Sequence, residues 1–231
     1  MTPLSAPHIS PTSQQTEIVA LFDVDNTLLP GQASEVRFFR FLWRHGLVGW
    51  RELRESVGWV LRQAPPISFH PLRERKLYLA GKAAATVEAF AEEFCHAEIF
   101  PHLSAQGLSR MDEHRRAGHR IILVTGSLDF LMVPLAAVLE VSTVLASKLE
   151  QQQCRFTGQV CAPLPYGPGK RELIAQLAQE SRIDLTRSFA YGDSPGDVEF
   201  LQMVGHPLVV NPIRGMAHIA RRYGWPVVRW K

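Results

Sequence analysis

The sequence has little of what would assign it to several large protein classes. Cysteine is nearly absent: only Cys95, Cys154 and Cys161 occur in 231 residues, and none forms a Cys-x-x-Cys pair. So sparse and odd a set excludes a disulfide framework and predicts reduced thiols in a cytoplasmic protein. No His or Cys cluster offers a zinc site. No apolar run approaches the roughly 18 residues that cross a bilayer. Charge of one sign is lacking too: 25 Lys and Arg stand against 22 Asp and Glu, a net +3. The basic stripe that a nucleic-acid partner calls for is missing. Residues 1–16 carry neither a basic nor an apolar stretch, so they read as a loose tail and not a signal peptide. What remains is ordinary globular composition, 46% hydrophobic and 20% charged, at a length that suits one core with an insertion.

Residues 18–22 form a short run apolar on both faces, as in a buried parallel strand, and the run stops at Asp23-Val24-Asp25. Over residues 33–97 the spacing is helical. Val36, Phe39, Trp43 and Leu47 mark one stripe, and Trp50, Leu53, Val57, Val60 and Leu61 another. Pro65-Pro66 and Pro71 break the pattern, which resumes over 72–94, and nothing alternates like a strand. Beyond Pro101 the spacing predicts helices over 103–117, 130–139 and 170–179. It predicts strands over 120–124, 143–147, 188–191 and 208–210, with a hairpin over 149–161. Strands separated by helices imply an α/β fold with a parallel sheet covered on both faces. Residues 17–31 and 101–231 then form a Rossmann-like core, with 32–100 as a helical cap inserted after the first strand.

Polar clusters stand where predicted strands end: Asp23-x-Asp25, Thr125-Gly126-Ser127 and Asp193-x-x-x-Asp197. Ligands of open α/β sheets bind beyond the carboxyl ends of the strands, so these clusters converge on one crevice. Carboxylates gathered there repel one another unless a cation lies between them, and hard oxygen donors select Mg²⁺. Phosphoryl transfer fits the set. One carboxylate attacks phosphorus, a lysine and the metal neutralise the phosphoryl oxygens, and a second carboxylate moves the proton.

Asp23-Val24-Asp25-Asn26-Thr27-Leu28, Thr125-Gly126, Lys170 and Gly192-Asp193-Ser194-Pro195-Gly196-Asp197, in that order, resemble the four motifs of the haloacid dehalogenase superfamily. The helical insert resembles the cap of its phosphoserine-phosphatase-like subfamily IB. The resemblance implies Asp23 as nucleophile and Asp25 as general acid/base. It implies Mg²⁺ held by Asp23, the Asp25 carbonyl and Asp193, with Asp197 ordering the metal's waters, and phosphoryl oxygens bound by Thr125, Gly126 and Lys170. It makes Arg75 the cap arginine that pairs with a substrate carboxylate. The implied activity is hydrolysis of a small phosphorylated metabolite, an amino-acid or amino-alcohol phosphate such as phosphoserine or histidinol phosphate. Two departures bear on substrate: Gln32 stands nine residues after the nucleophile, where phosphoserine phosphatases carry a glutamate, and Gly196 replaces an asparagine that touches substrate.

Plainer readings accompany each residue. Asp23 and Asp25 can cap a strand end, Thr125 can be a turn residue, Lys170 a solvated first-turn lysine and Asp197 a helix cap. Arg37, Arg40 and Arg44 share one helical face beside Phe38, Phe41 and Trp43. That face reads as solvated, or as a surface for anionic lipid in a membrane-associated lipid-phosphate phosphatase. A non-catalytic phosphate- or partner-binding module is the remaining alternative.

Overall fold

The computed structural model describes residues 16–62 and 73–230. The expectations for the tail over 1–15, for the Pro65-Pro66 and Pro71 break and for the side chains of Val60 and Leu61 lie outside the described residues. Chain order runs β1 (Val19–Phe22), α1 (Ser34–Arg44), α2 (Trp50–Arg62), α3 (Ala84–Phe94), α4 (Ala105–Arg116), β2 (Arg120–Leu128), α5 (Asp129–Val138), β3 (Thr143–Ser147), β4 (Leu149–Gln152), β5 (Arg155–Val160), α6 (Pro168–Ser181), β6 (Phe189–Gly192), α7 (Val198–Leu201), β7 (His206–Val210), α8 (Met216–Tyr223) and β8 (Val227–Val228).

Six strands form one parallel sheet in the order β3-β2-β1-β6-β7-β8. Strand β1 is buried on both faces, and its alternation is visible in the packing. Val19 and Leu21 face one apolar cluster with Ile122, Ile174 and Phe200, whereas Ala20 and Phe22 face the other with Leu123, Phe38 and Phe94. The chain leaves β1 towards β2 and β3 and returns on its other side at β6, so the strand order reverses beside β1. A crevice opens at such a point, beyond the carboxyl ends of β1 and β6. No helix among the described residues is long and apolar enough to cross a membrane. Cys95, Cys154 and Cys161 are all free thiols.

The insert departs from expectation in two places. Helix α1 buries Ser34, Phe38, Phe41 and Leu42, while Val36 of the expected stripe is 46% exposed. Both sides of α1 carry apolar residues, and the side chosen for the core is the one that sets Phe38 against Phe94 and Phe130, with ring centroids 5.0 and 5.8 Å apart. The second correction concerns the helix expected over 72–94, of which only α3 is a sustained helix. From Arg75 to Ala83 the chain makes a 3₁₀ turn at Leu77–Leu79 and a bend through Gly81 in place of a helix, and it bonds to the neighbouring hairpin strand at both ends. Lys76 N–H donates to Gly158 O (2.6 Å), Gly81 N–H to Phe156 O (2.8 Å) and Phe156 N–H to Lys82 O (3.0 Å). Gly158, at φ +84°, permits this approach: a Cβ there would lie 3.1 Å from Ala80 Cβ and 3.2 Å from Lys76 O. Strand β8, two residues long, was not anticipated.

Beneath the sheet, His114 is buried with Nε2 on the Tyr191 hydroxyl (2.6 Å) and Nδ1 on His119 Nδ1 (2.9 Å). Burial, seconded by His119 and Arg110, depresses the His114 imidazole to about 4. The unfolded chain therefore takes up this proton first. The stabilisation is complete above pH ~6.5 and is lost as pH falls from there towards the folded value, by about 2 kcal/mol at pH 5. We predict that His114→Phe is less stable than wild type at pH 7 yet loses less between pH 7 and 5; parallel losses in thermal unfolding at both pH values would contradict this.

Candidate active site

Asp23 follows β1 directly, its amide donating to Tyr191 O of β6 (2.9 Å), and its side chain is buried. Lys170, in the first turn of α6, brings Nζ to Asp23 Oδ1 and Asp197 Oδ1, both at 2.6 Å. A buried cation at a helix N-terminus opposes the helix dipole and needs anionic partners. Burial alone would lower the Lys170 ammonium, but Asp197 and Asp23 outweigh it and hold it above its usual range.

Asp197 is the anchor of the loop after β6. Its Oδ2 accepts from the amides of Asp193 (3.1 Å) and Ser194 (3.0 Å) and from Ser194 Oγ (3.0 Å). Burial works to raise it, yet Lys170 and the Ser194 donors take it below the ordinary carboxylate range. Asp193 follows β6 and accepts from Asn26 Nδ2 (2.9 Å), while Asn26 also donates to Asn211 O (2.9 Å). Burial and the charge of Asp197 push Asp193 up to about 7 against the pull of Asn26 and Lys170. Burial likewise holds the Asp23 carboxyl well above its usual range, with Asp197 and Asp193 adding to it and Lys170 opposing. One lysine thus faces three buried carboxylates.

Asp23, Asp193 and Asp197 each offer an oxygen within 4.8 Å of the others, the one such group among the described residues. Hard anionic donors with an uncompensated negative charge fit Mg²⁺. The Asp25 carboxylate is not in this group. Its Oδ1 accepts from Ser34 N–H and its Oδ2 from Ser127 Oγ, both at 2.7 Å, and the two hydroxyls meet at 2.6 Å. The strand-end pair is therefore split, one carboxylate held by a lysine and the other by neutral donors.

A cavity of about 330 Å³ gathers Asp23, Asp25, Thr125, Gly126, Lys170, Asp193 and Asp197 on its wall. Thr125 is buried, its Oγ1 accepting from the Ser127 amide (3.1 Å), and Gly126 lines the cavity; the strand expected to stop at 124 runs on through both to Leu128, its register against β3 shifting between Val124 and Leu128. Arg75 is not brought to this wall. It is exposed, pairs by backbone with Gln159 and lies over the Trp59 ring at 5.6 Å, because the chain is not helical there. Arg73 lines the cavity instead. Gln32 is also outside it, with its amide oxygen on Arg40; the carboxylate over the cavity is Glu35, whose Oε2 accepts from Lys76 Nζ at 2.6 Å. Arg37 is tied to Pro30 O, Gln32 O and Glu98 O, Arg40 to Gln32 Oε1 and Arg44 to Glu98 at 2.8 Å, so all three basic side chains on α1 have partners within the insert and its approach.

Sequence reasoning passed over Asn26, Ser34, Glu35, Lys76, Ser127 and Tyr166, and it set Arg73 aside as a neighbour of Arg75 that faces another way on a helix. Asn26 and Ser127 sat inside the motifs already noticed. The others had no signal, since their neighbours are distant in sequence. Tyr166 is explained by Gly196: a Cβ at Gly196 would lie 2.2 Å from the Tyr166 ring, so glycine there leaves room for it. The Arg73 guanidinium then stacks 3.3 Å from the centroid of the same ring, joining insert to core at the cavity mouth.

The haloacid dehalogenase-like hydrolase family model matches residues 20–202. A phosphoserine phosphatase of Mycobacterium tuberculosis is 29% identical over 90% of this chain and 69% of its own. A histidinol-phosphatase of Neisseria meningitidis is 26% identical over 92% of this chain and 99% of its own. A solved structure from Bordetella pertussis Tohama I, of a protein of unknown function, superposes with a TM-score of 0.79 at 28% identity, covering 93% of this chain and 99% of that one.

Gly196→Ala is expected to cost about 1–3 kcal/mol by displacing the Tyr166 ring. Adding Tyr166→Ala relieves the clash, so the double variant recovers most of the loss in denaturant unfolding; additive losses would show that the two positions are not coupled.

Proposed function

The chain belongs to the haloacid dehalogenase-like hydrolases and is a phosphomonoester hydrolase of that family; from this premise we propose that it cleaves a small phosphorylated metabolite through a phosphoryl group carried on Asp23, with Mg²⁺ as cofactor. One observation carries the reading. Two carboxylates two residues apart face one cavity in different environments, Asp23 against Lys170 and Asp25 against Ser34 and Ser127.

In this reading Lys170 engages Asp23 Oδ1 and leaves Oδ2 to attack phosphorus. The P–O bond to the leaving alcohol breaks, and Asp25, aimed by its two donors, gives that oxygen a proton. Asp25 then takes a proton from water, whose oxygen attacks phosphorus and returns Asp23 as a free carboxylate. Thr125, the Gly126 amide and Lys170 bind the phosphoryl oxygens. Asp23, Asp193 and the Asp25 carbonyl would hold Mg²⁺, which when bound supplies positive charge to the transferring group. Asp197 sets the positions of Lys170 and of the Asp193 backbone. Residues 32–100 act as a cap that limits water access during the first step. Glu35, the insert carboxylate that lines the cavity, is already paired with Lys76 Nζ at 2.6 Å, which weighs against a substrate ammonium such as that of phosphoserine. We take the compartment to be the cytoplasm.

Phosphate release from a panel containing phosphoserine, histidinol phosphate, sugar phosphates, nucleotides and a short-chain phosphatidate tests the reading. EDTA is expected to abolish turnover and excess Mg²⁺ to restore it. Asp23→Asn should remove turnover while the fold persists, and Asp25→Asn should lower kcat by about 10²–10⁴-fold. Activity equal in wild type and Asp23→Asn and indifferent to EDTA would sink the mechanism.

A further inference from the structure

A second cavity, of about 590 Å³, opens beside the first, and the two share Ala33, Glu35, Arg73, Lys76 and Arg214 as a common wall. The chemistry changes across that wall. The inner cavity holds the carboxylates and Lys170, whereas the outer one is lined by Val36, Phe39, Leu53, Trp59, Leu77 and Tyr78. These come from α1, α2 and the 3₁₀ turn after Arg75. Val36, 46% exposed, presents the apolar side of α1 that the core does not use. The Phe39 ring stands edge-on to Tyr78 at 5.3 Å, which gives the far wall a fixed aromatic surface.

Resting on the phosphatase reading, we propose that the outer cavity seats the leaving group and that the substrate is the phosphate monoester of an apolar alcohol, aliphatic or aromatic. A dianionic phosphate is drawn to the inner cavity by Lys170 and the strand-end donors. The oxygen-bound carbon then points past the common wall. There Glu35 and Lys76 neutralise each other at 2.6 Å and the Arg73 guanidinium is stacked on Tyr166, while Arg214 adds a further guanidinium beside the path of the phosphate. Beyond this wall the lining among the described residues is mostly apolar; Ser56 Oγ is spent on Glu52 O, the Tyr78 hydroxyl faces Glu35, and the Arg75 guanidinium lies over the Trp59 ring. An apolar concavity continuous with a polar, reactive one is the usual arrangement of a site in which apolar contact supplies affinity and a few polar groups supply orientation.

The test is a series of n-alkyl phosphates from methyl to octyl, followed by phosphate release. The expected result is kcat/KM rising about fourfold per methylene until the cavity is filled. Val36→Trp, which fills the cavity from α1, is expected to flatten that rise. Calorimetric binding of the matching n-alkyl phosphonates to wild type and Val36→Trp gives a second measurement that needs no turnover. A flat length profile with turnover still lost in EDTA and in Asp23→Asn overturns the leaving-group cavity and leaves the phosphatase reading intact. If no ester is hydrolysed but phosphonate affinity climbs with length and falls back in Val36→Trp, the cavity stands and the phosphatase reading falls. Binding that is absent or indifferent to length overturns the cavity.

Discussion

The buried contact of Lys170 with Asp23 and Asp197 is the constraint on which the site depends. Three carboxylates at the end of a parallel sheet cannot be desolvated together without a cation, and the lysine is the cation the chain itself supplies. It also ties the ends of β1 and β6 to the start of α6, three segments brought together only by the reversal of strand order. Asp197 spends its remaining oxygen on the loop that presents Asp193. The negative charge left over is what makes the site receptive both to a metal and, through it, to a phosphate.

Above this charged floor the insert does not sit as a separate body. Phe38 and Phe94 of the insert and Phe130 of the core are members of one apolar cluster that reaches Phe22 on the sheet. The run after Arg75 adds backbone bonds to β5, and Arg73 adds a cation stacked on Tyr166. Apolar packing, backbone pairing and a charged stack therefore all cross between the two parts, each in a different place.

The core elements were legible because parallel strands buried on both faces leave a mark: a short apolar run halted by polar residues. That mark placed Asp23 and Asp193 at strand ends, whereas β2 continues through Thr125 to Leu128, and the structure brings Asp23, Asp193, Asp197 and Lys170 into one cluster. The insert was less legible. Helix α1 has two apolar sides, and periodicity cannot say which of them the core will take, so Phe38 and not Val36 is buried. The segment after Arg75 has helical spacing but finds its hydrogen bonds in β5, a partner far along the chain, and this moves Arg75 off the cavity and leaves Arg73 facing it. Glu35, Lys76 and Tyr166 owe their places to contacts that no local pattern records. Gly196 was visible as a departure from a motif, but the ring that requires it was not.

The pairing of residues 76–84 with β5 divides the insert mechanically. The half that contains α1 and α3 is welded to the core by aromatic packing and backbone bonds, whereas α2 rests chiefly on the 3₁₀ turn at Leu77–Leu79. Leu53 and Trp59 therefore reach the outer cavity from a helix held at its edges, by the Glu52–Lys82 ion pair at 3.2 Å and by Trp50 against Trp43. Leu53 and Trp59 line the outer cavity and not the inner one, so selection can retune what the protein admits without touching the carboxylates or Lys170.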